Sequence, residues 1–244
     1  MVMDTIKNKT AIVTGGSKGY GFGIAEALKA KGANVWITSR HEQELQEAAE
    51  GLGVNHRSAD VTNPEDWDRL VHEIIESTGQ IDILVNNAGG GVKKAPLVTQ
   101  SDEEILQSIA LNLTGVMLGC KRVVPFMQER KSGTIINVSS ICEREAWPGW
   151  SVYSAAKIGL SQFSKCLYLE VQDFGIRVTT LIPSWGSTDF LKAADIPERD
   201  EETEALVTKP RELGDLVVNI CELPGHLQIQ DLTVVPIVQK IVPL

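Results

Sequence analysis

"TAIVTGGSKGYGFGIAEALKAKG" (residues 10–32) decides the fold. "TAIVTGG" (10–16) is a short apolar run turning into glycine, and it reads as a buried strand. "FGIAEALKAKG" (22–32) reads as a helix that ends at Gly32. Between them, Gly15, Gly19 and Gly21 allow a tight turn. They also let an anion approach the helix N-terminus, where free N–H groups point outward. A glycine loop that leaves a strand and opens a helix is the context a dinucleotide-binding turn requires. A plain strand–helix turn is the competing reading.

The same alternation continues outward. "NVWITSR" (34–40) is a second strand, followed by the polar helix "HEQELQEAAEGLG". "VNHRSADV" (54–61) stands where a third strand is expected. A helix opened by "TNPEDW" follows, with Pro64 and acids in its first turn. "IDILVNNAGG" (81–90) is a fourth strand. A long helix is predicted from about Glu103 to Arg130, its apolar positions Ile105, Ile109, Leu113, Val116, Cys120, Val123 and Met127 stepping by threes and fours. "GTIINVSS" (133–140) and "IRVTTLIPS" (176–184) are strands five and six, around a helix from about Ser151 to Phe174. A last helix near 210–222 leads to "IQDLTVVPI". Strands alternating with helices predict a single α/β domain over residues 1–244: a doubly wound, parallel, seven-stranded sheet with the ligand at the carboxyl ends of its strands. The polar stretch 187–206 reads as a mobile flap or short helices.

The chain has 244 residues, 43% apolar and 23% charged, with a net charge of −9. That charge argues against a nucleic-acid surface or an anionic membrane as the main partner. Any anionic ligand must meet a local basic island. Cys120, Cys142, Cys166 and Cys221 form no CxxC pair, and the four histidines are scattered, so no zinc pattern arises. Reduced core or pocket cysteines are expected. "MVMDTIKNKT" lacks an apolar signal region, and no run approaches the roughly 18 apolar residues of a membrane span. A cytoplasmic protein is expected.

"SVYSAAK" (151–157) places Tyr153 and Lys157 one helical turn apart on one face. On its own this is also what a surface helix with an aromatic edge looks like. The wider pattern is more specific. Thr14-Gly15, Gly19 and Gly21 have TGxxxGxG spacing, and "NNAG" (86–89), Asn112, Ser140, Tyr153 and Lys157 follow in order. Over essentially its whole length the chain resembles the short-chain dehydrogenase/reductase family, in particular the NADP(H)-preferring carbonyl reductases, 3-oxoacyl reductases and tropinone reductases. The resemblance implies hydride transfer between a nicotinamide cofactor and a carbonyl or secondary alcohol. Tyr153 would be the general acid/base. Its ordinary pKa of about 10 is high for that work, and Lys157 would lower it while binding the nicotinamide ribose. Ser140, thirteen residues earlier, would hold the substrate oxygen; Ser139 points to the other face of the strand and is structural. Asn112 would anchor a water in a proton relay.

The resemblance also implies cofactor contacts in the first loop at Gly15, Ser17, Lys18, Gly19, Tyr20 and Gly21. Asp60 and Val61 would meet the adenine, Asn87, Ala88 and Gly89 the ribose, Pro183 the nicotinamide end, and Thr188 the nicotinamide carboxamide or the pyrophosphate. Cofactor choice is legible at strand two, which ends Ser39-Arg40. An NAD-binding fold places an acid there, on the ribose 2′-hydroxyl. Ser39 has no carboxylate, and Arg40 with Lys18 can pair a 2′-phosphate, so NADP(H) is expected. Trp147, Trp150 and Trp185, with Cys142, fall in loops expected to wall the substrate pocket. Loop packing or a subunit contact would explain the tryptophans equally well. Lys93, Lys94 and Arg144 could meet an acidic substrate group or be solvated surface charges.

The chain departs from the pattern at Ser184 after Pro183, at Glu143 where a small residue is usual, and at its C-terminus. Two other readings remain: an NADP(H)-binding sensor without turnover, and a same-fold epimerase or enoyl reductase. The long helices resemble those that pair family members into dimers or tetramers, so a homo-oligomer is expected, with homotetramer favoured.

Overall fold

The computed structural model describes residues 5–90 and 94–240. Lys93 and both chain ends lie outside that range. Seven strands form one sheet: β1 (Thr10–Thr14), β2 (Asn34–Thr38), β3 (Asn55–His56), β4 (Ile83–Asn86), β5 (Gly133–Val138), β6 (Ile176–Pro183) and β7 (Asp231–Val234). Their order is β3-β2-β1-β4-β5-β6-β7, and every pair is parallel. The order reverses between β1 and β4, the place where an open α/β sheet leaves a crevice. This is the doubly wound Rossmann arrangement that the alternating pattern predicts.

Helices cover both faces, which is why β1, β4, β5 and β6 are buried at every position. On one side lie α1 (Gly19–Ala30), α2 (Glu42–Leu52) and α9 (Pro210–Cys221), with Ile24, Leu28, Leu213 and Val217 in the core. The contact of α1 with α9 is close: a Cβ on Gly23 would lie 2.2 Å from the Pro210 carbonyl. The opposite side holds α3 (Pro64–Thr78), α5 (Gly115–Arg130) and α6 (Ser151–Val171), packed through Trp67, Leu70, Val123 and Leu160. Asn63 caps α3 by accepting from the Glu65 amide at 2.9 Å, with Pro64 in the first turn.

Four local differences from the sequence expectation have physical reasons. β1 stops at Thr14, because the amides of Gly15 and Gly16 turn to the Thr38 carbonyl at 2.7 and 3.2 Å. The first helix begins at Gly19, ahead of Phe22. "VNHRSADV" contributes only two strand residues at the sheet edge, as its polar side chains bury little. The long helix is interrupted: α4 (Asp102–Ile109) joins α5 through a π turn, Ala110–Thr114. By length and composition alone, Asp102–Arg130 could cross a membrane, with 33% of its most apolar window buried. Here its inner residues Val116, Val123 and Met127 pack on the sheet, while Leu106 faces outward. The stretch 187–206 holds two short helices, α7 (Phe190–Ala193) and α8 (Glu201–Leu206).

Candidate active site

A cavity of about 740 Å³ opens at the carboxyl ends of β1, β4, β5 and β6. Its lining gathers Gly15, Ser17, Lys18, Gly19, Tyr20, Ser39, Arg40 and Val61 with Asn87, Ala88, Gly89, Pro183 and Thr188. Ser140, Cys142, Tyr153, Lys157, Trp147, Trp150 and Trp185 line the same space. Of the residues singled out in the sequence, Gly21, Asp60 and Asn112 stand behind or beside the wall.

The nucleotide end is built from backbone. Gly15 has φ +65°, and a Cβ on Gly21 would lie 2.1 Å from the Gly15 carbonyl oxygen, so the turn closes only with glycine there. Thr14 Oγ1 accepts the amides of Asn87 and Ala88 at 3.0 and 2.9 Å, and Asn87 Nδ2 donates to the Thr14 carbonyl at 2.9 Å. These bonds brace the glycine loop against the end of β4. Ser39 Oγ is buried without a hydrogen-bond partner, and Arg40 is exposed with no ion pair among the described residues. Lys18 pairs with Asp189 at 3.3 Å and Glu44 at 3.7 Å, all three well exposed, so each pair is weak. Tyr20 packs its hydroxyl against Gly186, and burial pushes its pKa up to about 12. The Asp60 carboxylate turns away, accepting from the Thr62 amide and hydroxyl at 2.9 and 2.8 Å; it lines a neighbouring cavity of about 440 Å³ together with Arg40.

The catalytic candidates meet where β5 ends and α6 begins. Tyr153 and Lys157 lie on the buried face of α6 and are 5% and 3% exposed. Lys157 Nζ donates to the Val138 carbonyl at 3.0 Å. Ser140 caps a 3-10 turn, its hydroxyl accepting from the Cys142 amide at 3.3 Å. Asn112 sits in the π turn, fully buried: Oδ1 accepts from the Gly90 amide at 2.9 Å, and Nδ2 donates to the Ser108 carbonyl at 3.0 Å. π turns of this kind occur often at functional sites. A Cβ on Gly89 would lie 3.0 Å from Asn112 Oδ1 and 3.3 Å from Lys157 Nζ, which shows how closely the two flank that glycine.

Burial sets the direction at both residues. With the protein's own groups, burial pushes Tyr153 well above its ordinary value. The Cys142 thiol adds to this, and the Ser140 hydroxyl works the other way. Burial also drives Lys157 down to about 8, against the upward pull of Glu143 and then Cys142. Desolvation outweighs charge attraction because both groups are shielded from water.

The pocket above Tyr153 is aromatic. Trp150 lies 5.4 Å from Tyr153 and stacks on Phe190 at 5.6 Å with rings 14° apart; Phe190 is 5.8 Å from Tyr153. Trp147, Ala194 and Ile196 extend this cluster. Trp185 carries the Arg199 guanidinium 4.8 Å above its ring. Sequence reasoning missed Phe190, two residues past Thr188 in "PSWGSTDF"; nothing about a lone phenylalanine in a polar flap marks it. Lys94 lines the cavity, whereas Arg144 is turned to Asp231 at 2.7 Å and Glu143 at 3.7 Å. Cys120, Cys142 and Cys221 are buried; Cys166 is exposed on the outer face of α6, contrary to its expected place in the core or pocket.

A doubly wound parallel sheet with a glycine loop at its switch point defines the dinucleotide-binding class of α/β folds. The chain belongs to the short chain dehydrogenase family, whose model matches residues 9–199. It is 39% identical over 215 residues to 3beta-hydroxysteroid dehydrogenase 1 of Eggerthella lenta, covering 84% of this chain and 81% of the relative. It is 38% identical over 191 residues to the 3-oxoacyl-[acyl-carrier-protein] reductase of Chlamydia muridarum, covering 76% and 77%. Among solved structures it resembles the closed form of serine dehydrogenase complexed with NADP+, with a TM-score of 0.89 and 28% identity over 96% of this chain and 98% of that one. A metagenomic short-chain oxidoreductase in complex with NADP gives a TM-score of 0.82 at 25% identity, covering 97% and 100%.

Proposed function

We propose that the chain is an NADP(H)-dependent oxidoreductase that interconverts a carbonyl and a secondary alcohol, with Tyr153 as general acid/base. The observation that carries this reading is the assembly of Ser140, Tyr153 and Lys157 around one cavity, with Asn112 behind them, at the carboxyl ends of the strands. The crevice suits the cofactor: a turn that only glycine can close, and, at the end of β2, a Ser39 hydroxyl and an Arg40 that have no partner among the described residues. When bound, NADP(H) supplies or accepts the hydride.

The remaining roles fall to the chain. Amides of Gly19 and Tyr20, in the first turn of α1, receive the pyrophosphate, with Gly15, Ser17 and Lys18 beside them. Ser39 and Arg40 take the 2′-phosphate. Asp60 and Val61 border the adenine, while Asn87, Ala88, Gly89 and Lys157 flank the ribose. Pro183 and Thr188 bound the nicotinamide end. Ser140 holds the substrate oxygen, and Tyr153 gives it a proton during reduction or removes one during oxidation. Lys157 favours the phenolate, and Asn112 orders the Gly89–Gly90 turn next to it.

Trp147, Trp150 and Phe190 suit a substrate with a ring or other broad apolar face. The 187–206 segment serves as the substrate flap. Outward-facing Leu106, Ile158 and Leu169 on α4 and α6, which are 69%, 53% and 66% exposed, support pairing of these helices in a homo-oligomer. A panel of ketones, hydroxy acids and alcohols, followed by absorbance of the reduced nicotinamide, tests the activity. No turnover with either cofactor across the panel would overturn it.

A further inference from the structure

We propose that Glu143 is a positioning residue, a buried counter-charge that keeps Lys157 cationic beside Tyr153. The inference rests on the catalytic reading of Lys157 above. The Glu143 side chain is only 8% exposed. Its carboxylate accepts from Ser139 Oγ at 2.5 Å and from Ser161 Oγ. Those two serines belong to the segments that hold Lys157. Ser139 follows Val138, whose carbonyl receives Nζ, and Ser139 Oγ also reaches the Lys157 carbonyl at 3.4 Å. Ser161 lies one turn further along α6. The carboxylate is therefore bonded to both elements that hold the lysine, the end of β5 and α6.

Among the described residues, groups from three elements act at Lys157. Tyr153 lies on its own helix, with Nζ 5.6 Å from the ring centroid. Cys142 and Glu143, in the 3-10 turn after β5, act on its charge, and Asn112 of the π turn flanks Gly89 with it. A buried ammonium without a negative neighbour tends to lose its proton. Burial does pull Lys157 down to about 8, and Glu143 is the first of the groups that pull it back. Arg144 Nε, 3.7 Å from the carboxylate, competes for it from the surface, where it also pairs with Asp231.

The test compares the wild type with Glu143→Gln, which preserves shape, and Arg144→Gln, which removes the competing cation. The alkaline limb of the kcat/KM profile, where Lys157 discharges, should move down by about one pH unit in Glu143→Gln. It should move upward in Arg144→Gln. A second readout uses the cofactor-free protein. The melting-temperature deficit of Glu143→Gln should shrink as pH climbs from about 7 to about 10, because a neutral lysine needs no counter-charge. An unmoved limb together with a pH-independent deficit would overturn the proposal. If Glu143→Gln fails to fold, the Arg144→Gln shift decides: an upward move supports the proposal, and none refutes it. Turnover retained by Tyr153→Phe would instead sink the catalytic reading, while the cofactor-free melts would still score the Glu143–Lys157 coupling.

Discussion

Lys157 Nζ donates to the Val138 carbonyl oxygen at 3.0 Å and stands 5.6 Å from the centre of the Tyr153 ring. The end of β5 thus anchors the lysine, and the helix brings the phenol to it. The two side chains share the inner face of α6, one turn apart, and Trp150 and Phe190 pack against the Tyr153 ring.

Replacing Tyr153 by phenylalanine removes the one acidic hydroxyl and leaves the ring packing. Turnover should fall by roughly 10²–10⁴, the usual contribution of a positioned acid or base. Cofactor affinity should stay near the wild-type value. Steady-state rates and cofactor binding by fluorescence measure both, and a near-normal rate would remove Tyr153 from the mechanism.

Lys157→Met should abolish activity yet raise stability near neutral pH. The folded-state pKa of Lys157, about 8, lies below its unfolded value, so protonation favours the unfolded chain. The penalty is full below that folded value and relieved as pH rises towards about 10.4, the unfolded one. Methionine removes the charge and keeps the apolar length. That folded value already includes the pull of Glu143, so the gain is on the order of 1–3 kcal/mol. Thermal melts of the cofactor-free proteins should separate most at neutral pH and converge in alkali. A variant less stable at neutral pH would contradict this.

Much of the architecture is legible because the apolar runs are well separated by turn residues. The glycine loop, the end of β4 and the Tyr153–Lys157 spacing each carry their own local signature, and the fold places them around one cavity. The π turn was not legible: Ala110–Thr114 has ordinary helical composition, and only tertiary packing pulls Asn112 onto Gly90. Phe190 was equally hidden, since its place over Tyr153 depends on how the flap returns across the sheet. Glu143 was visible as a departure, but its two serine partners come from separate elements and could not be paired from spacing. Asp60 carried a motif match, yet its carboxylate closes its own turn through Thr62.

Cofactor preference should reside at the end of β2. Arg40 has no ion pair among the described residues and Ser39 brings no negative charge, so a 2′-phosphate meets a cation and a hydroxyl. A charge-assisted contact contributes roughly 1.5–3 kcal/mol, and 1.4 kcal/mol is tenfold. Arg40→Ala should therefore lower kcat/KM for NADPH about tenfold or more and spare NADH. Ser39→Asp should reverse the preference, since its carboxylate repels the phosphate and accepts from a free 2′-hydroxyl. Wild-type preference for NADH, or an NADPH preference that survives both changes, would refute the assignment. Lys18 should matter less, because Asp189 and Glu44 already occupy it.

Phe190→Ala should separate binding from proton transfer. The ring stacks on Trp150 and lies 5.8 Å from Tyr153, and a Cβ on Gly90 would meet its Cδ2 at 3.3 Å. It joins the flap to the pocket wall and covers the phenol. Truncation should raise KM for substrates with a broad apolar face by about tenfold, in line with the few kcal/mol a buried aromatic contributes. It should also admit water to Tyr153. Burial is the largest cause of that group's raised pKa, so exposure must lower it. In alcohol oxidation the phenolate is the base, and activity rises with pH as the phenol ionises. The acid limb of kcat/KM for oxidation should therefore move to lower pH in Phe190→Ala, while Phe190→Leu, which keeps the cover, should stay near the wild type. A limb that moves upward, or an unchanged KM for every ring-bearing substrate, would show that Phe190 neither shields Tyr153 nor contacts substrate.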